Sequence, residues 1–144
     1  MILKDNWFSA AAESDNGAPI FINGRMDLEA FKNSGKFNER VEIYWHYKKG
    51  FNEMPHDDEG KLMEEVLETL KKAMEKDKLA ILTGVYTGNG ERTLVFYTRT
   101  ARVFGERLNE TLAPFELLPI ELYVEKDREW NEYNEMLEAQ EYGE

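Results

Sequence analysis

The sequence lacks cysteine altogether and contains only two histidines among its 144 residues. The absence of cysteine excludes disulfides, thiolate catalysis, and zinc or iron–sulfur sites built on thiolates. No stretch reaches the ~18 consecutive apolar residues that a membrane helix requires, and the N-terminus has no basic segment followed by an apolar run. We therefore expect a soluble, cytoplasmic protein with no membrane partner.

Basic residues are also scarce. There are 18 of them against 29 acidic residues, which gives a formal net charge of −11. Nucleic-acid-binding surfaces need clustered Lys and Arg to neutralise phosphates, so this charge balance disfavours a nucleic-acid partner. An acidic surface attracts basic molecules, and a protein partner of basic character is the partner that the charge favours.

Hydrophobic periodicity predicts a mixed α+β chain. Apolar residues alternate in the predicted strands and recur every three or four residues in the predicted helices. Asn16-Gly17 and Gly88-Asn89-Gly90 each lie between two apolar runs, which is typical of hairpin turns. The predicted elements are a hairpin at 6–24, a short helix at 27–33, a strand at 39–47, a helix at 57–76, strands at 79–87 and 91–99, a helix of about a dozen residues after Thr100, a strand at 116–124 and a helix at 127–138.

Side chains that accept hydrogen bonds from helix amides precede each predicted helix. They are Asp27, then Asp57 or Asp58, then Thr100 and finally Asp127. In the last helix, Trp130 and Tyr133 stand three residues apart, and Met136 and Leu137 follow them at helical spacing. Asp127, Trp130 and Tyr133 are therefore predicted to form a structural motif, with a capping carboxylate and two aromatics on one buried face.

The order of elements from residue 39 to about residue 125 is strand, helix, strand, strand, helix, strand. This order predicts a ferredoxin-like βαββαβ core, in which a four-stranded antiparallel sheet carries two helices on one face. The N-terminal hairpin (6–24) and the C-terminal helix (127–138) are additions to that core, and residues 1–144 are predicted to form a single domain. Pro119 cannot donate to a ladder, so the strand that contains it is predicted to lie at an edge or to carry a bulge.

The sheet face opposite those two helices is predicted to be rich in tyrosine, which supplies contact area with a polar tip. Leu82 is assigned to the same face. The alternative is that the terminal elements cover this face with Trp7, Trp130 and Tyr133. The third strand of the core offers this face either Tyr97 and Arg99 or Leu94 and Phe96. The candidate surface for a ligand or partner comprises Tyr44, His46, Tyr86, Tyr97, Arg99 and Tyr123.

Catalytic and metal-binding patterns are weak. His56 stands before two aspartates, but adjacent residues do not converge on one ion without further ligands, so a polar loop that enters a helix is favoured. Acid–base chemistry at His46 would need Glu42 or Glu121 as an orienting carboxylate. The spaced glycines at 84–90 lie in a hairpin rather than before a helix, which disfavours a phosphate loop. We predict no metal and no cofactor, and we assign no catalytic residue.

Several motifs resemble the bacterial family called domain of unknown function 695, over roughly residues 6–140. They are Trp7, Val41-x-Ile43-x-Trp45, Thr83-Gly84, Gly90-x-Arg92-x-x-x-Phe96-Tyr97 and Glu125-Lys126-Asp127-x-x-Trp130-x-x-Tyr133. The family usually has a proline after the aspartate, where this chain has Arg128. The resemblance implies a ferredoxin-like core and transfers no catalytic residues, because the family has no established activity. Fold and charge are also similar to those of the B-type regulators of ribonuclease E activity, which bind and inhibit a nuclease.

Two functions are compatible with these features. The first is a non-enzymatic protein-interaction or regulatory module, which the acidic charge and the tyrosine-bearing sheet favour. The alternative is a small-ligand-binding protein or modest enzyme that uses a pocket on the open sheet face, beside the N-terminal additions.

Overall fold

One six-stranded antiparallel sheet organises the chain. The computed structural model describes residues 1–50 and 53–142. Its elements are β1 (Trp7–Glu13), β2 (Pro19–Arg25), α1 (Glu29–Asn33), β3 (Glu39–His46), α2 (Asp57–Glu75), β4 (Ala80–Gly88), β5 (Glu91–Thr98), α3 (Ala101–Leu112), β6 (Ile120–Lys126) and α4 (Asn131–Tyr142). The strands lie in the order β1-β2-β4-β5-β3-β6, so the described part of the chain contains α-helices and an antiparallel sheet, as predicted.

The prediction of four strands is wrong, because the N-terminal hairpin joins the sheet instead of lying apart from it. β2 pairs with β4, and β1 pairs with β2. An unpaired β4 edge would leave a row of backbone donors and acceptors open, and the hairpin satisfies them by extending the ladder by two strands.

α2 and α3 cover one face of the sheet, which we call the helix face. The alternation in β3 places four large residues on this face, each at most 5% exposed, and they pack against the inner residues of both helices. The strand residues are Val41, Ile43 and Trp45, with Tyr47 just beyond β3, and the helix residues include Met63, Val66, Leu70, Met74, Phe104 and Leu108. The alternating apolar residues of the strand and the apolar residues at helical spacing therefore pack in one core, as the sequence predicts.

α1 and α4 pack against the opposite face, which we call the second face. A second core forms there between the sheet and these terminal elements, and it includes Phe8, Ile22, Phe31, Ile81, Val95, Trp130, Tyr133 and Met136. Trp7 does not take part, because it packs against the core of the helix face. The two glycines at the centre allow this close approach, since a Cβ on Gly24 would collide with the Phe8 ring and one on Gly84 would lie 2.6 Å from the Met136 sulfur.

A β-bulge in β4 overturns the predicted side for Leu82. The pairing with β5 shifts register between Leu82 and Gly84, so that one extra residue is accommodated. Leu82 packs in the core of the helix face, whereas Tyr86 beyond the bulge lies on the second face with the core around α4. Simple alternation fails here because an inserted residue reverses the side on which the preceding residues lie.

Three predicted side-chain caps are wrong. Asp27 has φ +65° and accepts a hydrogen bond from Asn6 instead of capping α1. His56 holds the N-cap position of α2 without a side-chain hydrogen bond, and the two aspartates that follow it lie in the first turn, where they complement the helix dipole. Thr100 is the N-cap residue of α3, but the first amide of α3 donates to the Glu39 carboxylate, 3.1 Å away.

The helix predicted at 127–138 begins later and extends further, since α4 spans Asn131–Tyr142. Among the described residues, no helix has the length and apolar character needed to cross a membrane.

Candidate functional site

Polar side chains of the second face lie in a row across four strands. The register places Tyr86 opposite Thr93, Thr93 opposite Tyr44, and Tyr44 opposite Glu121. Directly opposed residues on one face have Cβ atoms about 4.5–5.5 Å apart, so these side chains are neighbours. The row begins under α4 and ends at β6, where the sheet face is no longer covered.

Arg40 is the centre of an ion-pair network next to this row. Its guanidinium donates to Glu42 at 2.7 Å, to Asp127 at 2.7 Å and to Glu125 at 2.6 Å. The Tyr44 hydroxyl donates to the other oxygen of Glu42, also at 2.7 Å. The network therefore joins β3, β6 and the start of α4, and it fixes the orientation of Tyr44.

Asp127 connects the network to the buried aromatics. Its carboxylate accepts from the Tyr97 hydroxyl at 2.7 Å and from the amides of Asn131 and Glu132 at 2.8 and 3.2 Å. Burial alone would raise the pKa of this carboxyl, but these hydrogen bonds and the one from Arg40 lower it below its ordinary value. Asp127 is thus held ionised at the N-terminus of α4.

Trp130 and Tyr133 form an aromatic cluster with Tyr97 next to Asp127. The Tyr97 and Trp130 rings are stacked with centroids 4.3 Å apart, and Tyr133 meets Trp130 edge-on at 5.4 Å. The indole of Trp130 donates to the carbonyl of Phe37 at 2.8 Å. All three aromatic residues are at most 3% exposed, so this cluster supports the site from below rather than contacting solvent.

Glu132 faces the row from the first turn of α4. The Tyr86 hydroxyl donates to its Oε2 at 2.6 Å, while its Oε1 is buried and has no hydrogen-bond partner among the described residues. Burial raises the pKa of Glu132, the hydrogen bond from Tyr86 opposes that change, and the nearby charge of Glu42 adds to it. Burial also raises the pKa of Tyr44 and Tyr86, so both phenols stay protonated at neutral pH and act as donors.

The predicted surface residues do not all meet. Tyr97 is completely buried and cannot contact a partner. Arg99 lies beyond the end of β5 with its guanidinium over the Phe37 ring, 5.7 Å from the centroid, far along the strand from Tyr44. His46 is half-exposed at the opposite end of β3, with its ring nitrogens 3.6 and 3.5 Å from carboxylate oxygens of Glu91 and Glu121.

The tertiary structure confirms the edge strand that Pro119 predicts, and it exposes large side chains there that the sequence did not identify as exposed. β6 lies at one end of the sheet and begins directly after Pro119, and within residues 1–50 and 53–142 it pairs only with β3. Leu122 and Val124 lie on the helix face, but they are 49% and 48% exposed, and Tyr123 between them is 44% exposed. The one sequence signal for this edge was Pro119, whose carbonyl still accepts from the amide of His46.

A groove of about 560 Å³ lies beside β6 on the helix face. Its wall comes from the end of α3 and the segment that follows, where Leu117 is fully exposed. The apolar lining residues are Leu108, Leu112, Phe115, Leu118, Ile120 and Leu122. The other edge strand, β1, differs, because its Phe8 and Ala10 are buried and its exposed residues are small or polar.

The described residues place an open strand edge beside an apolar groove. Within residues 1–50 and 53–142, no three His, Asp or Glu side chains are grouped so as to hold a metal ion. The carboxylates of Glu42 and Glu132 next to the row accept hydrogen bonds from arginine and tyrosine donors, whereas the described part of the chain leaves one side of β6 unpaired, next to apolar side chains. An open edge with an apolar groove is a surface to which an extended chain can add.

Comparison with models of known protein families gives a match over most of the chain. The model of a family described as "Family of unknown function (DUF695)" covers residues 5–138. No curated protein and no solved structure matches the chain significantly.

Proposed function

We propose that this chain, which belongs to the family of unknown function DUF695, is a non-enzymatic protein-interaction module that binds an extended segment of a partner protein along β6. The observation that carries the proposal is the exposure of three successive large side chains, Leu122, Tyr123 and Val124, on a strand that pairs on one side only. Exposed, apolar edge strands invite pairing with another chain.

The charge of the chain supports a partner protein over a second copy of this chain. If β6 paired antiparallel with itself over its full length, Glu121 would face Glu125 twice on the second face. Like charges directly opposite each other destabilise a strand pair. A basic segment meets the same two carboxylates favourably, and the net charge of −11 attracts it from a distance.

The topology supports a ferredoxin-like interpretation of the core. Without the hairpin, the strands lie in the order β4-β5-β3-β6 in the sheet. Along the chain, α2 connects β3 to β4 and α3 connects β5 to β6. β3 and β4 are both antiparallel to β5, which lies between them, as in a split βαβ unit. The similarity to B-type regulators of ribonuclease E activity, which is based on fold and charge, stays a prediction.

The proposal is tested by affinity capture at low and moderate salt, followed by hydrogen exchange on the complex. Wild type is compared with Leu122→Lys on β6 and with the matched control Ala11→Lys on β1. Capture that is lost only in Leu122→Lys, together with slowed amide exchange at 120–126, supports strand addition at β6. A Tyr44→Ala/His46→Ala variant measures what the second face adds.

Two outcomes contradict the proposal. One is a captured partner that Leu122→Lys retains as well as wild type does. The other is slowed exchange at β1 or on the helices while the exchange of β6 is unchanged. Thermal melts of each variant guard against unfolding, which we do not expect because Leu122 and Ala11 are both exposed.

Small-ligand binding is the second candidate function, and a different groove favours it. About 320 Å³ lies between α2 and the N-terminal hairpin, with Trp7, Leu67, Leu82 and Val85 as apolar walls and Arg92 at the rim. This volume is at the lower end of the range of ~300–1,000 Å³ typical of ligand sites. The groove lies on the helix face, rather than on the second face where a pocket was predicted.

A thermal-shift screen of metabolites tests this second candidate. A hit is expected to quench Trp7 fluorescence and to lose its effect in a Leu67→Glu variant, while the outward-facing Glu65→Gln variant behaves as wild type. A screen with no concentration-dependent shift counts against ligand binding in this groove.

A further inference from the structure

The side chains that β6 places on the two faces of the sheet differ in chemistry, and a strand added beside β6 would contact both sets. Alternate residues of a strand point to opposite faces. On the helix face β6 presents Ile120, Leu122 and Val124, beside the apolar groove. On the second face it presents Glu121, Tyr123 and Glu125.

The second-face side has a free acidic and aromatic region at Glu121 and Tyr123. The Glu125 carboxylate is already bound to Arg40, at 2.6 Å. The Glu121 side chain is 75% exposed, and its nearest cationic candidate, His46, lies 3.5 Å away. A Lys or Arg on a neighbouring strand would reach Glu121 and the face of the Tyr123 ring.

The helix-face side favours apolar side chains of the partner. Neighbouring strands lie about 4.7–4.9 Å apart, so a residue opposite Leu122 projects beside the mouth of the groove. The groove is lined by leucine, isoleucine and phenylalanine side chains from three consecutive segments. A polar side chain there would lose water without gaining a partner.

We infer that the segment bound along β6 alternates apolar and basic residues, with the apolar ones over the groove beside Leu122 and the basic ones facing Glu121 and Tyr123. This inference rests on the proposed strand addition at β6. It names the chemistry of the partner segment: an extended basic, amphipathic peptide with a period of two residues.

Labelled peptides of about eight residues, which is a typical strand length, test the inference by fluorescence polarisation. The probes are an alternating Val/Lys peptide, a block peptide with four Val followed by four Lys, an alternating Val/Glu peptide, and the Val/Lys peptide N-methylated at alternate amides. We expect the alternating Val/Lys peptide to bind at least ~10-fold tighter than the block and Val/Glu peptides.

Two charge reversals separate local from long-range electrostatics. Glu121→Lys is expected to weaken the Val/Lys peptide about tenfold and to improve binding of the Val/Glu peptide. Glu13→Lys makes the same charge change on the exposed part of β1 and is expected to have little effect. Equal weakening by both variants would overturn the inference, because the affinity for the peptide would then depend only on the net charge of the protein.

The N-methylated peptide separates failure of the inference from failure of strand addition. If N-methylation abolishes binding while the alternating and block peptides bind equally, strand addition stands and the alternating pattern is wrong. If N-methylation changes nothing, or no peptide binds at millimolar concentration, the inference is overturned. A concentration-dependent dimer that Leu122→Lys abolishes would identify a second copy of the chain as the occupant and would also overturn it.

Discussion

Replacing Asp127 by alanine removes the residue that joins α4 to the sheet. Its carboxylate accepts four hydrogen bonds, from Arg40, Tyr97 and the amides of Asn131 and Glu132. Loss of an N-cap costs about 0.5–2 kcal/mol, and each buried donor left without a partner costs about 1–3 kcal/mol. Because these effects overlap, we expect the free energy of unfolding to fall by about 3–5 kcal/mol, a large part of the ~5–15 kcal/mol typical of a domain.

Denaturant unfolding at neutral pH measures this loss, and its pH dependence tests the cause. The pKa of Asp127 is lowered in the folded state, so its stabilising effect is fully present above its ordinary value of 3.8. That effect is lost as the pH falls through the lower folded-state pKa, so the difference between wild type and Asp127→Ala shrinks as the pH falls below 3.8.

A control and a double-mutant cycle complete the test. Asp15→Ala, at an exposed turn, is expected to change stability by no more than ~0.5 kcal/mol. Tyr97→Phe is expected to cost less in the Asp127→Ala background than in wild type, because the Tyr97 hydroxyl has then already lost its acceptor. A loss below about 1 kcal/mol, or one that does not change at acid pH, would refute the reasoning.

Three further predictions concern the second face. Trp130→Ala is expected to lower stability by ~3–5 kcal/mol, as for a large buried aromatic, and an unchanged melting temperature would contradict this. Glu132→Gln is expected to raise the melting temperature relative to wild type at neutral pH and to lose that advantage near pH 4, because the raised folded-state pKa of Glu132 means that its ionisation opposes folding above its ordinary value of 4.5. A stabilising effect that is equal at both pH values would instead point to packing around Tyr86. Gly24→Ala is expected to cost about 1–3 kcal/mol in denaturant unfolding, because the new methyl group displaces the Phe8 ring.

The local pattern of the sequence was enough to predict most elements. The alternation in β3 requires only that one side of an extended chain be apolar, and its apolar residues are buried as predicted. The β4–β5 turn depends on the backbone of two residues, and Asn89 and Gly90 have φ of 52° and 84°. Strand alternation and tight turns depend on residues that are close together in the chain, so the sequence is enough to predict them.

The candidate site depended on contacts between distant parts of the chain. Tyr44 and Tyr97 are both tyrosines in strands, and both lie on the second face of the sheet. Tyr44 is nevertheless partly exposed, whereas Tyr97 is completely buried. The difference arises because α4 covers the Tyr97 end of the sheet, and Trp130, the residue before α4, stacks on the Tyr97 ring. Nothing in the local sequence of either strand contains that information.

The same distinction explains β6. Leu122 and Val124 alternate on the side of β6 that lies on the helix face, and Pro119 correctly indicated an edge. Whether that face is buried depends on how far α3 reaches across the sheet, and both residues remain about half exposed. The sequence by itself therefore determined most elements, the β4–β5 turn and the apolar sides of β3 and β6. Only the tertiary structure decided which sides are covered, because coverage comes from packing between segments that lie far apart in the chain.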